Sequence, residues 1–500
     1  MKKFKKLLGF FCAFALILGM NVIPASAEGT TYSITINNSA EGHTYEAYQI
    51  FTGDLHQGKL SNIVWGSGVS EAGKTALGNA AAKAETLKTE ADAEAFAKEV
   101  APYLTTAAGF ANTVTNGKYV ISGLTAGYYL IKDQDGSLTG DNDSYTDYII
   151  KVVGDTTATP KSDVPTVEKK VKDINDSTDD AMTDWQDSAD HDIDDSVPFQ
   201  LKATLADNVS SYTTYKVVFH DTLSKGLTYN NDAKVFIDGT ETNGFTITST
   251  VNADGTTTLT VSCDDVKALG AGNSSVITVE YTATLNGNAV LGSAGNPNEV
   301  YLEYSNNPNK SESGNNETGN TPKDVVIVFT YKTIISKITK NPNYDPEDEE
   351  SEEYISLTGA EFTLEKYNKE TKEWKAITAV KNDEGTTFTF SGLDDGKYRL
   401  TETTTPAGYN TIDPIEFTIT AEHEVESDNP ALTSLSGNAE TGEITFTSNT
   451  TEGSLSTDVV NKAGATLPET GGMDTTLFYV AGAGLVLVAV VLLITRKRMN

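Results

Sequence analysis

The sequence predicts a mainly β chain: a row of β-sandwich units with a helical insertion in the first. Three observations carry this expectation. Threonine and valine alternate with other side chains in runs such as Tyr32–Ile36, Ser274–Thr284, Val300–Tyr304 and Glu361–Glu365, the period-two pattern of half-buried strands. Glycine, asparagine and aspartate punctuate these runs, as tight turns require. Long helical patterns are scarce, and the stretch Ser70–Leu104 stands apart because it is rich in Ala, Glu and Lys. There Leu77, Ala81 and Ala84, then Ala93, Phe96, Ala97 and Val100, recur at helical spacing, which predicts surface helices covering a sheet edge of the first unit.

The two ends read differently from the body. Lys2, Lys3, Lys5 and Lys6 precede a short apolar run from Leu7 to Met20, and Ala25-Ser26-Ala27 supplies small residues for cleavage. This is the pattern of a secretory signal peptide, residues 1–27. At the other end, Leu467-Pro468-Glu469-Thr470-Gly471 is followed by an apolar run from Leu477 to Thr495 and then by Arg496, Lys497 and Arg498. The run is long enough to cross about 30 Å of hydrocarbon, and the basic tail holds its end in the cytoplasm.

Between the ends, two stretches read as linkers: Asp155–Pro165, rich in Thr, Pro and Ser, and Asn306–Lys323, rich in Asn, Ser, Gly and Pro. They divide the chain into units at 28–160, 161–323 and 324–466, followed by a C-terminal signal at 467–500. The first and third units echo each other, since Leu124-Thr-Ala-Gly127-Tyr-Tyr129 matches Leu393-Asp-Asp-Gly396-Lys-Tyr398.

The net charge is −33, and both ends are net basic, so the body is more acidic still. That excludes nucleic acid as a partner and suits an exposed extracellular surface. Cys12 lies in the leader and Cys263 is alone, so no disulfide can form within the processed chain. The five histidines, His43, His56, His191, His220 and His423, show no metal spacing, and no Ser or Cys has a catalytic context. We therefore expect no metal, no cofactor and no turnover enzyme. The aspartate-rich stretch Asp173–Asp195 fits no EF-hand template and reads as a solvated loop.

Several motifs carry a family resemblance. The C-terminal triplet resembles the sorting signal of sortase substrates, Leu-Pro-x-Thr-Gly, helix and basic tail. Phe329 to Ile338, Leu357 to Leu364, the frame Leu393-x-x-Gly396-x-Tyr398-x-Leu400-x-Glu402-Thr403, Pro406 to Tyr409 and Val459-Val460-Asn461 together resemble the B-type module of collagen adhesins and pilins. Val167-Glu-Lys169-Lys-Val, His220-Asp221 to Leu227 and Asn298 to Pro308 resemble the A-type module. As a whole the chain is similar to the major pilins of Gram-positive bacteria, with three tandem immunoglobulin-like sandwiches.

The resemblance implies specific chemistry. A sortase cysteine attacks the Thr470 carbonyl and expels Gly471 onward, with Leu467, Pro468 and Glu469 as the recognised residues, and an amine resolves the thioester. Within the modules, a buried lysine amine condenses with an asparagine amide beside a buried acid, and ammonia leaves. Carried over, Lys337, Glu402 and Asn461 form the set in the third unit, and Lys169, Asp221 and Asn298 the set in the middle unit. Lys170 and Lys340 compete as nucleophiles, and Asn296, Asn306 and Asn307 as acceptors. The first unit keeps an acid, Asp133, but its opening strand Tyr32–Asn38 has no lysine and the stretch Tyr148–Val153, read as its closing strand, has no asparagine. It is expected to lack a cross-link.

The linkage lysine of the family follows the first domain in a Tyr-Pro-Lys motif. Thr159-Pro160-Lys161 stands at that place, with Thr for Tyr, while Thr321-Pro322-Lys323 repeats the tripeptide in the other linker. Position favours Lys161. The function implied is a structural backbone subunit of a covalently polymerised pilus that supports adhesion; the alternative is a monomeric wall-anchored adhesin or accessory pilin. The implied partners are a class C-type pilus sortase, a housekeeping sortase, other pilin subunits, peptidoglycan and host or cell-surface ligands. The implied location is the extracellular cell wall, reached through a transient membrane stage.

Overall fold

A computed structural model describes residues 30–57, 59–152, 154–178, 182–314 and 316–464. The signal peptide and the sorting signal with its apolar run lie outside the described residues. Among the described residues, no helix is long and apolar enough to cross a membrane.

The first unit runs β1 (Tyr32–Asn37), β2 (Tyr45–His56), β3 (Lys59–Trp65), α1 (Glu71–Leu77), α2 (Ala80–Thr86), α3 (Glu90–Val100), β4 (Gly109–Ala111), β5 (Lys118–Leu124), β6 (Tyr128–Asp133), β7 (Ile149–Val152) and β8 (Thr156–Ala158). One sheet has the order β5-β1-β8; the other is β3-β2-β6-β7, with β4 also on β2. Ile34, Ile36, Tyr119, Ile121 and Tyr129 fill the space between them. The helices lie where the periodicity predicts. Ser70, Asn79 and Thr89 cap their N-termini, and Phe96, Ala97 and Val100 of α3 pack with Ile50 and Phe51 of β2.

The middle unit contributes β9 (Thr166–Val171), β10 (Ser188–Asp190), β11 (Ser196–Thr204), β12 (Val217–Leu223), β13 (Leu227–Tyr229), β14 (Lys234–Ile237), β15 (Thr240–Thr242), β16 (Thr246–Val251), β17 (Thr257–Cys263), β18 (Val276–Leu285), β19 (Asn296–Ser305), β20 (Thr318–Asn320) and β21 (Asp324–Phe329). Its sheets are β10-β21-β19-β12-β17-β16, with β20 on β19, and β15-β14-β18-β11-β9, with β13 on β18. A single core joins them, including Phe199, Leu201, Phe219, Leu259, Val279 and Leu302.

The third unit runs β22 (Tyr331–Lys340), β23 (Tyr354–Ser356), β24 (Glu361–Asn368), β25 (Glu373–Ile377), β26 (Val380–Lys381), β27 (Thr387–Leu393), β28 (Gly396–Thr404), β29 (Ile415–His423), β30 (Leu432–Ala439), β31 (Thr447–Asn449) and β32 (Ser454–Asn461). The sheet β26-β27-β22-β32-β31, with β23 on β22, faces β25-β24-β28-β29-β30 across Phe362, Phe388, Phe390, Leu400 and Phe417.

Three expectations change. Both linkers are partly folded: β8, inside Asp155–Pro165, pairs parallel with β1, and β20, inside Asn306–Lys323, pairs with β19. Strand β21, expected to open the third unit, hydrogen-bonds with β19 and β10 of the middle unit, so the sheets divide at Thr330 rather than at residue 323. Among its described residues, the aspartate-rich stretch is largely packed rather than a solvated loop. Asp173, Asp187 and Asp190 are buried, and the stretch packs against the third unit through Asp187 N–Val425 O (2.9 Å) and Ser177 Oγ–Tyr367 O (2.8 Å). The partners that bury Asp173, Asp187 and Asp190 are distant in sequence, which local composition does not register.

Candidate cross-linking sites

Strand alternation builds the site of the third unit. On β22 every second residue faces inward, placing Lys337 in line with Tyr331, Thr333 and Ile335. On β28 the same alternation turns Glu402 inward behind Tyr398 and Leu400. β22 and β32 pair in parallel, Lys337 opposite Val459, so Asn461 follows two residues along on the same inward face. The three side chains converge. Lys337 Nζ donates to Asn461 Oδ1 and to Val459 O (3.2 Å), and Asn461 Nδ2 donates to both carboxylate oxygens of Glu402 (2.9 and 3.2 Å). Lys337 Nζ lies 3.4 Å from Glu402, and both side chains are completely buried. Ile412 N and Thr405 Oγ1 also donate to Glu402 (3.2 Å each). Burial holds the Lys337 amine below the ordinary lysine range, against the pull of Glu402.

In the middle unit, β9 turns Lys169 inward and Lys170 outward. Asp221 on β12 and Asn298 on β19 face the same core from the opposite sheet. Lys169 Nζ donates to Asp221 Oδ1, and both side chains are fully buried. Burial pushes the lysine down, opposed by Asp221, and pushes the Asp221 carboxyl up, opposed by Lys169. Asn298 joins this pair through a residue the sequence reading missed, Tyr281 of β18. Its hydroxyl donates to Asp221 Oδ2 and accepts from Lys169 Nζ (3.1 Å) and Asn298 Nδ2 (2.8 Å). The only signal in the sequence was its inward place in the alternation of β18, which it shares with every core residue there.

The competing residues are engaged elsewhere. Lys170 pairs with Asp187, and Lys340 is exposed beside Glu353 (4.0 Å). Asn296 bonds to the backbone of Val290 and Val328, and Asn306 and Asn307 belong to the region facing the first unit, where Tyr145 N donates to Asn306 O (2.8 Å). The chemistry open to the two sets is the same. Each has a buried amine of depressed basicity, a carboxamide and a carboxyl to move protons; the amine touches the amide directly in the third unit and meets it through Tyr281 OH in the middle unit.

The first unit shows what replaces such a set. Tyr32 pairs with Leu124 and Ile36 with Tyr119, as Tyr331 pairs with Leu393 and Ile335 with Phe388. In that register Asn38 stands at the position of Lys337. β8, not the stretch Tyr148–Val153, takes the place of β32: β8 pairs parallel with β1, whereas β7 pairs with β6 in the other sheet. Counting on from Ala158 puts Ser162 at the position of Asn461. Asn38 Nδ2 donates to Tyr45 OH (2.7 Å), and buried Asp133 is bonded to His43 Nδ1 (2.8 Å) and Thr146 N (2.7 Å).

Lys161 lies at the junction of the first and middle units. Its backbone N donates to Thr146 Oγ1 (2.9 Å), and its carbonyl accepts from Asp147 N (3.1 Å) and Asn208 Nδ2 (3.2 Å). Its ammonium is held by Glu90 (3.0 Å) and Glu94 of α3, and these carboxylates, outweighing its burial, raise its basicity. Lys323 is more exposed and pairs with Glu299 (2.6 Å). Thr470 and Gly471, with Leu467, Pro468 and Glu469, lie outside the described residues.

Comparison with known proteins adds three family matches. Residues 193–308 match the Gram-positive pilin backbone subunit 2, Cna-B-like domain, where the sequence resembled an A-type module. Residues 346–431 match a prealbumin-like fold domain, and residues 459–500 the LPXTG cell wall anchor motif. The trypsin-resistant surface T6 protein of Streptococcus pyogenes serotype M6 is 25% identical over 446 residues, covering 79% of this chain and 72% of that protein. The solved structure of the T6 backbone pilin, a modular three-domain protein, superposes with a TM-score of 0.56 at 18% identity, over 88% of this chain and 100% of that one, and shares the fold. The major pilin SpaD of Corynebacterium diphtheriae gives 0.49 at 16% identity, over 88% and 100% of the two chains. A pilin-backbone domain and a wall-anchor signal on one mainly β polypeptide account for each other, and the chain belongs to the LPXTG-anchored backbone pilins of Gram-positive bacteria, subunits of a sortase-assembled pilus on the cell wall.

Proposed function

We propose that this backbone subunit is joined to its neighbours through Lys161 and Thr470, and stapled internally by Lys337–Asn461 and Lys169–Asn298 isopeptide bonds. The observation that carries the reading is the convergence of Lys337, Glu402 and Asn461 in a dry core. A lysine buried there gains nothing from solvation, and its contact with the amide supplies the effective concentration that a slow condensation needs. Glu402 and Asp221 act as the acids. The units so defined are 28–160, 161–329 and 330–466, each a sandwich of the immunoglobulin type, between a leader at 1–27 and a sorting signal at 467–500. A class C-type pilus sortase makes the Thr470–Lys161 bond, and a housekeeping sortase transfers the finished fibre to peptidoglycan. The fibre supports adhesion to host or neighbouring-cell ligands.

Lys161 is favoured over Lys323 by its place between the first and middle units. The two carboxylates of α3 hold its amine charged until the enzyme displaces them. Two measurements test the reading. Intact mass of the region Glu28–Thr466 should fall short of the sequence mass by two ammonia molecules, and a full sequence mass would remove the staples. On the cell, Lys161→Ala should leave an anchored monomer and no detergent-resistant ladder. A ladder that survives Lys161→Ala and disappears in Lys323→Ala would move the linkage.

A further inference from the structure

The two stapling sets differ in one respect. In the third unit Glu402 touches the departing amide group directly (2.9 Å). In the middle unit the acid is an aspartate, one methylene shorter, and both of its bonds are taken from Lys169 and Tyr281. Asn298 donates to Tyr281 OH instead, and its own carbonyl oxygen is buried without a hydrogen-bond partner. The phenol thus fills the gap between acid and amide. It reaches across from β18, the sheet of Lys169, to β12 and β19 in the opposite sheet. Its ring is fixed against Phe199 (5.5 Å between centroids) and Tyr229 (5.6 Å).

We propose that Tyr281 is a catalytic residue of the middle unit, relaying a proton from Asp221 to the amide nitrogen of Asn298 as ammonia leaves. The proposal rests on the reading that Lys169 and Asn298 condense. Transfer of one proton within the Lys169–Asp221 pair leaves a neutral amine and a neutral acid, the forms that burial favours. Nζ then bonds to Cγ of Asn298, and the carbonyl electron pair moves onto Oδ1. Asp221 gives its proton to the Tyr281 oxygen while the Tyr281 hydroxyl proton passes to Nδ2. The Asp221 carboxylate takes a proton from Nζ in exchange. The pair on Oδ1 re-forms the carbonyl, the Cγ–Nδ2 bond breaks, and one ammonia departs. Lys169 is left in an amide, and Asp221 and Tyr281 return to their neutral forms. The third unit needs no such relay, because Glu402 spans the distance by itself.

The test follows ammonia loss by intact mass after dilution from denaturant of mature chain isolated unfolded. Tyr281→Phe keeps the ring and its stacking. The third unit should condense at its normal rate in this variant and serves as an internal clock. Condensation of the middle unit should slow on the order of 10²-fold, the usual contribution of one positioned proton donor. A ring-fluorinated tyrosine at position 281, a stronger acid of nearly the same shape, should restore the cross-link and move the pH profile of its formation to lower pH. Normal kinetics in Tyr281→Phe would overturn the relay. So would a fluorinated variant whose pH profile matches the wild type, since packing alone would then explain any loss. A wild-type chain that keeps the middle-unit ammonia would sink the condensation itself, and Asp221→Ala, expected to retain that ammonia, gives the mass signature for comparison.

Discussion

At the scale of single residues, three buried lysines take two different roles. Lys169 and Lys337 each face one carboxylate, and burial lowers their basicity. Lys366 is equally buried but is surrounded by Asp176 (2.7 Å), Asp192 (2.8 Å) and Asp394, which hold it well above the ordinary lysine range. One opposed charge leaves an amine that can become neutral; three keep it an ammonium and make it an ionic clamp. Replacing Glu402 or Asp221 by alanine should therefore cost one staple each and leave Lys366 indifferent. The Lys337–Asn461 closure spans 124 residues, and a cross-link over a loop that long contributes about 4–5 kcal/mol in the chain-entropy model. Thermal unfolding of Glu402→Ala should show the transition of the third unit lowered accordingly, and an unchanged midpoint would mean that no bond was lost.

At the scale of elements, the first unit is held differently from the others. Its β5-β1-β8 sheet has three strands, where the sheets of the other units have five or more. Asn38 and Ser162 occupy the stations of the lysine and the asparagine, so condensation has neither partner. The helices α1 to α3 cover part of the second sheet, and the Lys161 latch to Glu90 and Glu94 ties α3 to the junction. If its neighbours carry the proposed staples, a unit without one should open more readily than they do. Limited trypsin digestion of the mature chain should cut within 28–160 first, while 161–466 persists. Recovery of a branched tryptic peptide joining two parts of the first unit would contradict this account.

At the scale of the whole molecule, the proposed staples and linkage lysine would define a load path. On the proposed linkage and staples, tension entering at Lys161 would pass along β9 to Lys169, across to Asn298, along β19 and β21 to Lys337, and across to Asn461 on its way to Thr470. The first unit lies outside that path. The middle and third units are joined by the aspartate-rich stretch, through Lys366, Asp395 N–Asp190 Oδ2 (3.1 Å), and His423 with Ser188 Oγ (2.7 Å) and Asp173 (3.5 Å). This interface should respond to pH. Asp173 and Asp190, outweighing burial, raise His423 from 6.5 to about 9, so its stabilisation is complete below pH 6.5 and lost as pH rises through about 9. Burial, then Asp190, raises Asp395 from 3.8 to about 7, so the interface also weakens as pH climbs through that interval. Calorimetry of the mature chain should find the joint transition of the middle and third units falling from pH 6.5 to pH 9. His423→Gln should flatten the upper part of that decline, and a flat wild-type profile would show that the interface does not couple to these groups.

Most of this architecture was legible from local pattern. Period-two alternation announced the strands, and the family resemblance singled out Lys169, Lys337 and Glu402, which the pleat of their strands turns inward. Helical spacing between Ser70 and Leu104 announced the helices, and the ordered signals at the two ends announced secretion and anchoring. What the tertiary structure decided depends on register and approach between segments far apart in the chain. Strand pairing places Asn38 and Ser162 at the stations of the lysine and the asparagine, carries β21 into the middle sheet, and buries the aspartate-rich stretch against Lys366 and His423. Tyr281 is the clearest case. In sequence it is one more aromatic in an alternating strand, and only the meeting of two sheets sets its hydroxyl among a lysine, an aspartate and an asparagine. Alternation is a property of each strand alone, whereas the distance between sheets belongs to the packed core, and the side chains of each set meet across that distance.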